Sequence, residues 1–308
     1  MTVRARKIER GSKEKRKEGE TPRILVAEEN VATGGVRERP TSPGDRPLSL
    51  HPTTLMGAGP LEVVGAAAMA GFPMVGVRLT PAHPGDPSPC LLKDRGLLRR
   101  LCRALRDHGL RVLEAELIRL QPDTEGGGFE RHLESAAELN AAFVLTVSHD
   151  PDLGRAADRL AQLAEGAASR GLRIGLEFMA FTEVKTASAA RELLRRVGHP
   201  ALGVLADALH LARSGDGPEA LAALPLLAAQ ICDARRLPPA DLAWEARHAR
   251  LLPGEGELRL QAFVAALPPG LPVSVEAPGR STESWTKRAQ QALAAARAVI
   301  KGGSRSNP

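Results

Sequence analysis

The chain has 308 residues, 43% of them hydrophobic, which is enough for a sizeable core and too much for a wholly disordered protein. Its formal charge of +6 sits at the ends: residues 1–46 hold 12 Lys/Arg against 8 Asp/Glu, residues 301–308 add two cations, and residues 47–300 carry 28 of each sign. A neutral body with 3% aromatics and no tyrosine argues against a nucleic-acid footprint, and no apolar run approaches the ~20 residues that span a bilayer.

Residues 1–46 are rich in charge, Gly and Pro, and read as a disordered extension. They lack the apolar segment of a secretory signal, and the three cysteines (Cys90, Cys102, Cys232) have no metal or redox spacing. Both points indicate a reducing cytoplasm. From residue 47 the pattern changes to apolar strand-like runs alternating with Ala/Leu/Arg-rich helical segments. The first strand is expected at 48–51 and its helix at 61–70, followed by a strand at 74–79 and a helix at 97–107 that stops at Gly109. Strand 112–120 leads to helix 129–139, and strand 142–148 to helix 153–169, with Gly171 as the stop. The second half repeats the rhythm with strand 172–178, helix 187–197, strand 202–207 and a short helix at 218–223. Strand 226–233, a longer irregular loop, helix 258–266, strand 272–277 and helix 284–300 complete it, with 301–308 as a flexible tail. Eight strand–helix units of ~25–35 residues mean a parallel sheet and favour closure into a single α/β TIM barrel, (β/α)8, over residues 47–300. An open doubly wound sheet is the alternative, but no Gly-x-Gly-x-x-Gly follows the first strand.

In a closed barrel, chemistry collects at the C-terminal ends of the strands, and strand side chains alternate between lumen and helix layer. Alternation in Arg173-Ile-Gly-Leu-Glu-Phe178 puts Glu177 on the lumen side with Gly175, and in Val273-Ser-Val-Glu-Ala277 it puts Glu276 there with Ser274. Asp207 shares its face with Gly203 and Leu205, and Gln230 with Ala228. Glu177, Asp207, Gln230 and Glu276 therefore close strands five to eight in sequence. Three converging carboxylates repel one another, and a divalent cation removes that penalty. An all-oxygen set suits Mg²⁺ or Mn²⁺. The alternative is a set of structural ion pairs with Arg78, Arg119 or Arg250.

These residues sit in stretches that resemble the sugar phosphate isomerase/epimerase family of xylose-isomerase-like barrels. The carriers are Leu48-Ser-Leu-His51, Ala66-Ala-Ala-Met-Ala-Gly-Phe72, Leu176-Glu-Phe-Met179, Asp207-Ala-Leu-His210, Gln230-Ile-Cys-Asp233, Arg250-Leu-Leu-Pro-Gly-Glu-Gly-Glu-Leu258 and Ser274-Val-Glu-Ala-Pro278. The resemblance implies that Glu177, Asp207, Gln230 and Glu276 hold one divalent metal. It further implies that Glu177 and Glu276 exchange a proton with a small polyhydroxylated carbonyl substrate through an enediolate, with His210 and Arg250 binding that substrate. Ketose epimerases of the family carry His as third ligand, whereas Gln230 is more similar to the related 3-dehydroshikimate dehydratases. The expected activity is a metal-dependent isomerase or epimerase, with a dehydratase-type lyase as the alternative. A non-catalytic sugar-binding barrel and an AP-endonuclease-like nuclease rank lower, the latter because few histidines are placed at the strand ends.

Other readings stay open at single residues. Arg250 could pair at the surface with Glu255 or Glu257, His210 could bond loop backbone, and Pro253-Gly-Glu-Gly256 could be only a turn. His51, Arg78, Glu116, Arg119 and His149 could line the same mouth. Cys232 reads as a small buried filler, not a nucleophile. A homo-oligomer is compatible with the sequence, and membrane association is not expected.

Overall fold

The computed structural model describes residues 46–81, 88–124, 128–279 and 281–303. The expected N-terminal extension lies outside the described residues except for Arg46, as do the last five residues of the expected tail. Arg46 belongs to the folded body, where its guanidinium donates to the Val264, Leu267 and Pro268 carbonyls.

Eight parallel strands close into a barrel in sequence order: β1 (Leu48–Leu50), β2 (Met74–Arg78), β3 (Arg111–Leu120), β4 (Phe143–Ser148), β5 (Arg173–Glu177), β6 (Leu202–Asp207), β7 (Leu226–Ile231) and β8 (Val273–Val275). Closure is made by β1 on β8, where Leu48, Ser49 and Leu50 lie opposite Val273, Ser274 and Val275. The connecting helices are α1 (Pro60–Ala70), α2 (Arg95–Asp107), α3 (Glu130–Glu138), α4 (Leu153–Ala168), α5 (Ala187–Val197), α6 (Ala208–Ser214), α7 (Leu242–His248), α8 (Leu260–Ala266) and α9 (Trp285–Gly303). Short 3-10 turns occupy Pro52–Leu55 and Pro218–Ala223. Among the described residues, no helix is long and apolar enough to cross a membrane.

Helix boundaries follow local chemistry. In α2 the Asp94 carboxylate accepts from Leu97 N at 2.8 Å, and Leu97, Leu98, Leu101 and Leu105 form the buried stripe. Thr186 caps α5, which ends on Gly198 at φ 67°, a left-handed position that suits glycine. Three features depart from the sequence reading. The expected loop after the seventh strand contains α7, a second short helix (α6) follows the sixth strand, and α9 runs three residues past the expected tail boundary.

The main core lies between sheet and helices, and a second apolar cluster of Met74, Leu113, Phe143, Leu145, Leu205 and Ala228 fills the lumen floor. Large lumen residues fit because a glycine faces them. A Cβ on Gly175 would meet the Phe143 ring at 2.8 Å, and one on Gly203 would meet Leu227 at 2.5 Å. This apolar floor leaves the polar ends of the later strands as the upper layer of the lumen.

Candidate metal centre and active site

The four expected ligands sit at consecutive strand ends. Glu177 is the last residue of β5 and Asp207 of β6, Gln230 is the penultimate residue of β7, and Glu276 follows β8 directly. Strand register aligns Asp207 with Gln230, and Gln230 with Ser274, two residues before Glu276. One carboxylate oxygen from each of Glu177, Asp207 and Glu276 lies within 4.8 Å of the others. Gln230 is fully buried on the lumen face, and neither of its amide atoms has a hydrogen-bond partner among the described residues. An orphaned buried amide costs about 1–3 kcal/mol, and the lone pairs of its carbonyl oxygen are left without a hydrogen-bond donor or a cation to meet them. Three carboxylates and one such oxygen fit a divalent cation well.

Glu276 is held in place from the first turn of the barrel. Thr54 Oγ1 donates to Val275 O at 2.7 Å and accepts from Ala277 N at 2.9 Å, so both neighbours of Glu276 are fixed. Thr53 Oγ1 donates to the Glu276 carboxylate at 3.4 Å, and His51 Nδ1 lies 3.7 Å from the same oxygen. Burial works against the charged form of His51, but Glu116 and Glu276 outweigh it and hold its pKa up at about 9.

Arg250 is buried within the cluster, so neither Glu255 nor Glu257 is its partner. Its Nη1 lies 2.6 Å from Asp207 Oδ2 and 3.5 Å from Glu276 Oε2, and its Nε donates to Ala246 O at 2.8 Å. The ion-pair alternative for Arg250 is thus realised inside the ligand set. His210 joins the same group. Asp207 caps α6 by accepting from His210 N at 2.9 Å, which orients the imidazole, and His210 Nε2 lies 3.3 Å from Arg250 Nη2. Since guanidinium only donates, His210 Nε2 accepts and the ring is neutral. Burial, with Arg250 adding to it, pulls the pKa of His210 down to about 4. Burial raises Asp207, yet Arg250 and His210 together hold it below the usual carboxylate range. Burial and the charges of Glu276 and Asp207 push Glu177 well up. Cys232 is fully buried, and burial pushes its thiol far above neutrality, consistent with an inert filler.

The Pro253-Gly-Glu-Gly256 turn is part of this machinery. Asp233, two residues past β7, accepts from Gly254 N at 3.0 Å, Leu258 N at 2.9 Å and Ala234 N at 2.9 Å. Its own backbone pairs with Leu251 in an antiparallel bridge. Gly256 passes so close that a Cβ there would meet Ala234 O and Asp233 Oδ1 at 2.5 Å. The turn thereby fixes the segment that carries Arg250.

A cavity of about 400 Å³ opens above the cluster and is lined by Glu177, His210, Arg250 and Glu276. A family model described as xylose isomerase-like TIM barrel matches residues 64–299. The chain belongs to that family. It is 36% identical over 238 residues to a 3-dehydroshikimate dehydratase of Pseudomonas aeruginosa, covering 70% of this chain but only 35% of that protein. The chain thus spans about a third of the length of that curated relative. A solved xylose isomerase-like TIM barrel/4-hydroxyphenylpyruvate dioxygenase fusion protein superposes with a TM-score of 0.70 at 26% identity, over 82% of this chain and 42% of that one. The IOLI protein, solved with a bound zinc atom, superposes with a TM-score of 0.71 at 21% identity, over 83% of this chain and 98% of that one.

This member of the xylose isomerase-like family also brings His51, Arg78, Glu116, Arg119 and His149 to the cavity wall, the five residues that strand alternation left undecided. Sequence reasoning missed Thr53, Arg247 and Phe181. Thr53 lies in a short turn, and Arg247 comes from α7, where a loop was expected. The short Trp244-x-x-x-His248 spacing was the signal for that helix, since those rings sit 6.0 Å apart on one face.

Proposed function

We propose that this protein is a metal-dependent lyase of the 3-dehydroshikimate dehydratase type, removing water from a small polyhydroxylated ring ketone. The observation that carries the reading is Gln230, a buried amide with no hydrogen-bond partner among the described residues, beside three carboxylates. The dehydratase relative, at 36% identity, supports it. A divalent cation held by Glu177, Asp207, Gln230 and Glu276, Mg²⁺ or Mn²⁺ by donor chemistry, would polarise the substrate carbonyl and acidify the adjacent C–H.

The residues of the chain supply the proton steps. Glu276, which lines the cavity, removes the proton α to the carbonyl. Glu177 gives a proton to the departing β-hydroxyl, which leaves as water with its bonding electron pair, and a double bond forms between the two carbons. Oxygens of the two carboxyls lie within 4.8 Å of each other, so the released water can relay the proton from Glu276 back to Glu177, which resets the site. In a ring that already holds one double bond and a ketone, loss of water followed by enolisation gives an aromatic diol, which pulls the reaction forward. His210 Nε2 accepts from a substrate hydroxyl in exchange for Arg250, and Arg250 donates to a substrate oxygen.

The second reading is an epimerase, favoured by the same Glu177/Glu276 pair standing on strands three places apart. It would return the proton to the other face of the carbon instead of expelling a hydroxyl. The test is incubation with 3-dehydroshikimate and a ketose panel in D₂O, with and without a chelator, followed by NMR. Expected are 3,4-dihydroxybenzoate and water, abolished by chelator and by Glu276→Gln. Solvent deuterium at an inverted ketose carbon, with 3-dehydroshikimate untouched, overturns the dehydratase reading.

A further inference from the structure

Above its apolar floor the lumen holds a polar level that the proton chemistry at Glu177 and Glu276 does not use. Ser49 faces inward, because its neighbours Leu48 and Leu50 belong to the outer core. Strand pairing sets Ser49 opposite Ser274, and Ser274 opposite Gln230. Glu114 reaches the same level from β3, where its carboxylate accepts from Ser274 Oγ at 2.8 Å. All four side chains are fully buried. Among the described residues, Ser49 Oγ, Glu114 Oε2 and both amide atoms of Gln230 have no hydrogen-bond partner.

The backbone is shaped to admit Glu114. Val75 and Val77 of β2 pair with Val112 and Ala115 of β3, so Gly76 lies opposite two residues, Leu113 and Glu114. That bulge turns both of them toward the lumen, Leu113 into the floor and Glu114 onto the level above. Gly76 has to be glycine there, since a Cβ would meet Glu114 Oε1 at 2.7 Å. Serines at 49 and 274, where barrel lumen layers usually carry branched apolar residues, leave room beside the carboxyl. The unmet groups are complementary: the Gln230 amide nitrogen only donates, Glu114 Oε2 accepts, and Ser49 Oγ does either. A buried water makes about three hydrogen bonds to groups of this kind.

We infer that Ser49, Glu114 and Gln230 hold a buried water molecule beneath the ligand cluster, and that through it Glu114 orients the Gln230 amide, nitrogen down and carbonyl oxygen up toward Glu177, Asp207 and Glu276. Glu114 is thus a positioning residue for the cluster. An amide has a wrong end: with its nitrogen turned up, Gln230 presents N–H groups, which repel a cation instead of ligating it. Water both donates and accepts, so it meets Glu114 Oε2 whether or not that carboxyl holds its proton. The consequence for the metal rests on Gln230 being a ligand, as in the lyase reading; the water itself does not.

High-resolution crystals grown with and without Mn²⁺ test the water directly. A solvent peak within hydrogen-bond distance of Ser49 Oγ, Glu114 Oε2 and Gln230 Nε2 is expected in both. No peak there, or direct contact between Glu114 and Gln230, overturns the site. A double-mutant cycle read by calorimetric Mn²⁺ titration tests the orienting role without turnover. Glu114→Met should weaken Mn²⁺ binding about tenfold when Gln230 is present and leave it unchanged in a Gln230→Leu background. Ser49→Val, which puts a methyl group in the water's place, should act with the same dependence on Gln230. Equal weakening in both backgrounds overturns the orienting role, because loss of a nearby negative charge alone acts in both, and so does no weakening in either. Wild-type Mn²⁺ affinity in Gln230→Leu sinks the ligand reading instead, while a solvent peak in the metal-free crystals still supports the water site.

Discussion

Arg250 Nη1 and Asp207 Oδ2 meet at 2.6 Å with both side chains almost wholly buried, inside the set of oxygens that fits a metal ion. The guanidinium therefore already neutralises part of the charge that a dication would neutralise. Replacing Arg250 by Met leaves Asp207 and Glu276 without a cation, and removing one partner of a buried pair costs about 3–5 kcal/mol. Arg250→Met is expected to lower the thermal midpoint in chelator and to recover most of it on adding Mn²⁺. Differential scanning fluorimetry with and without Mn²⁺ checks this, since the metal-induced shift should be larger in the variant than in the wild type.

Gln230 makes the opposite prediction. Its amide is buried and has no partner among the described residues, so Gln230→Leu should stabilise the metal-free protein by about 1–2 kcal/mol while weakening metal binding. Chemical denaturation in chelator and a metal titration together read both effects. Gln230→His replaces the oxygen donor with an imidazole and should shift preference from Mg²⁺ or Mn²⁺ toward Co²⁺ or Zn²⁺. Unchanged metal selectivity in that variant would remove Gln230 from the ligand set.

Asp233 accepts three backbone N–H groups around the turn that follows Arg250. Asp233→Ala leaves buried donors unpaired and should cost about 2–4 kcal/mol in urea unfolding. Because the same turn aims Arg250, kcat should fall in the surviving folded fraction while metal stoichiometry holds.

A pH effect arises lower in the lumen. Glu114 is fully buried, accepts from Ser274 Oγ at 2.8 Å, and has no partner for its second oxygen among the described residues. Burial pushes its pKa up to about 7, against the pull of His51 and the Ser274 hydrogen bond. An acid raised in the folded state binds its proton more tightly there than in the unfolded chain. Its contribution is complete below the ordinary carboxylate range and is lost as pH rises from about 4.5 to about 7. Glu114→Gln should thus be more stable than wild type at pH 8, by an amount on the order of 3 kcal/mol, with the gap closing toward pH 4. Denaturation curves across that range give the measurement.

Alternation along a strand was enough to place Glu177, Asp207, Gln230 and Glu276, because a parallel barrel repeats one simple rule at each strand end. Gly175 and Gly203 were legible for the same reason, as small residues sharing the lumen face with large neighbours. The partners of those side chains were not legible. Arg250 comes from a loop, and its burial depends on the Asp233 contacts that fold the turn back onto β7. Arg247 sits on a seven-residue helix whose whole periodic signal is the single Trp244-x-x-x-His248 spacing, and Thr53 on a 3-10 turn that the helix and strand periods both miss. Local sequence thus determined the barrel and the positions of its strand-end oxygens, since both follow from backbone periodicity. Which cations face those oxygens only the tertiary structure decided, because those contacts join residues far apart in the chain through loops that no period describes.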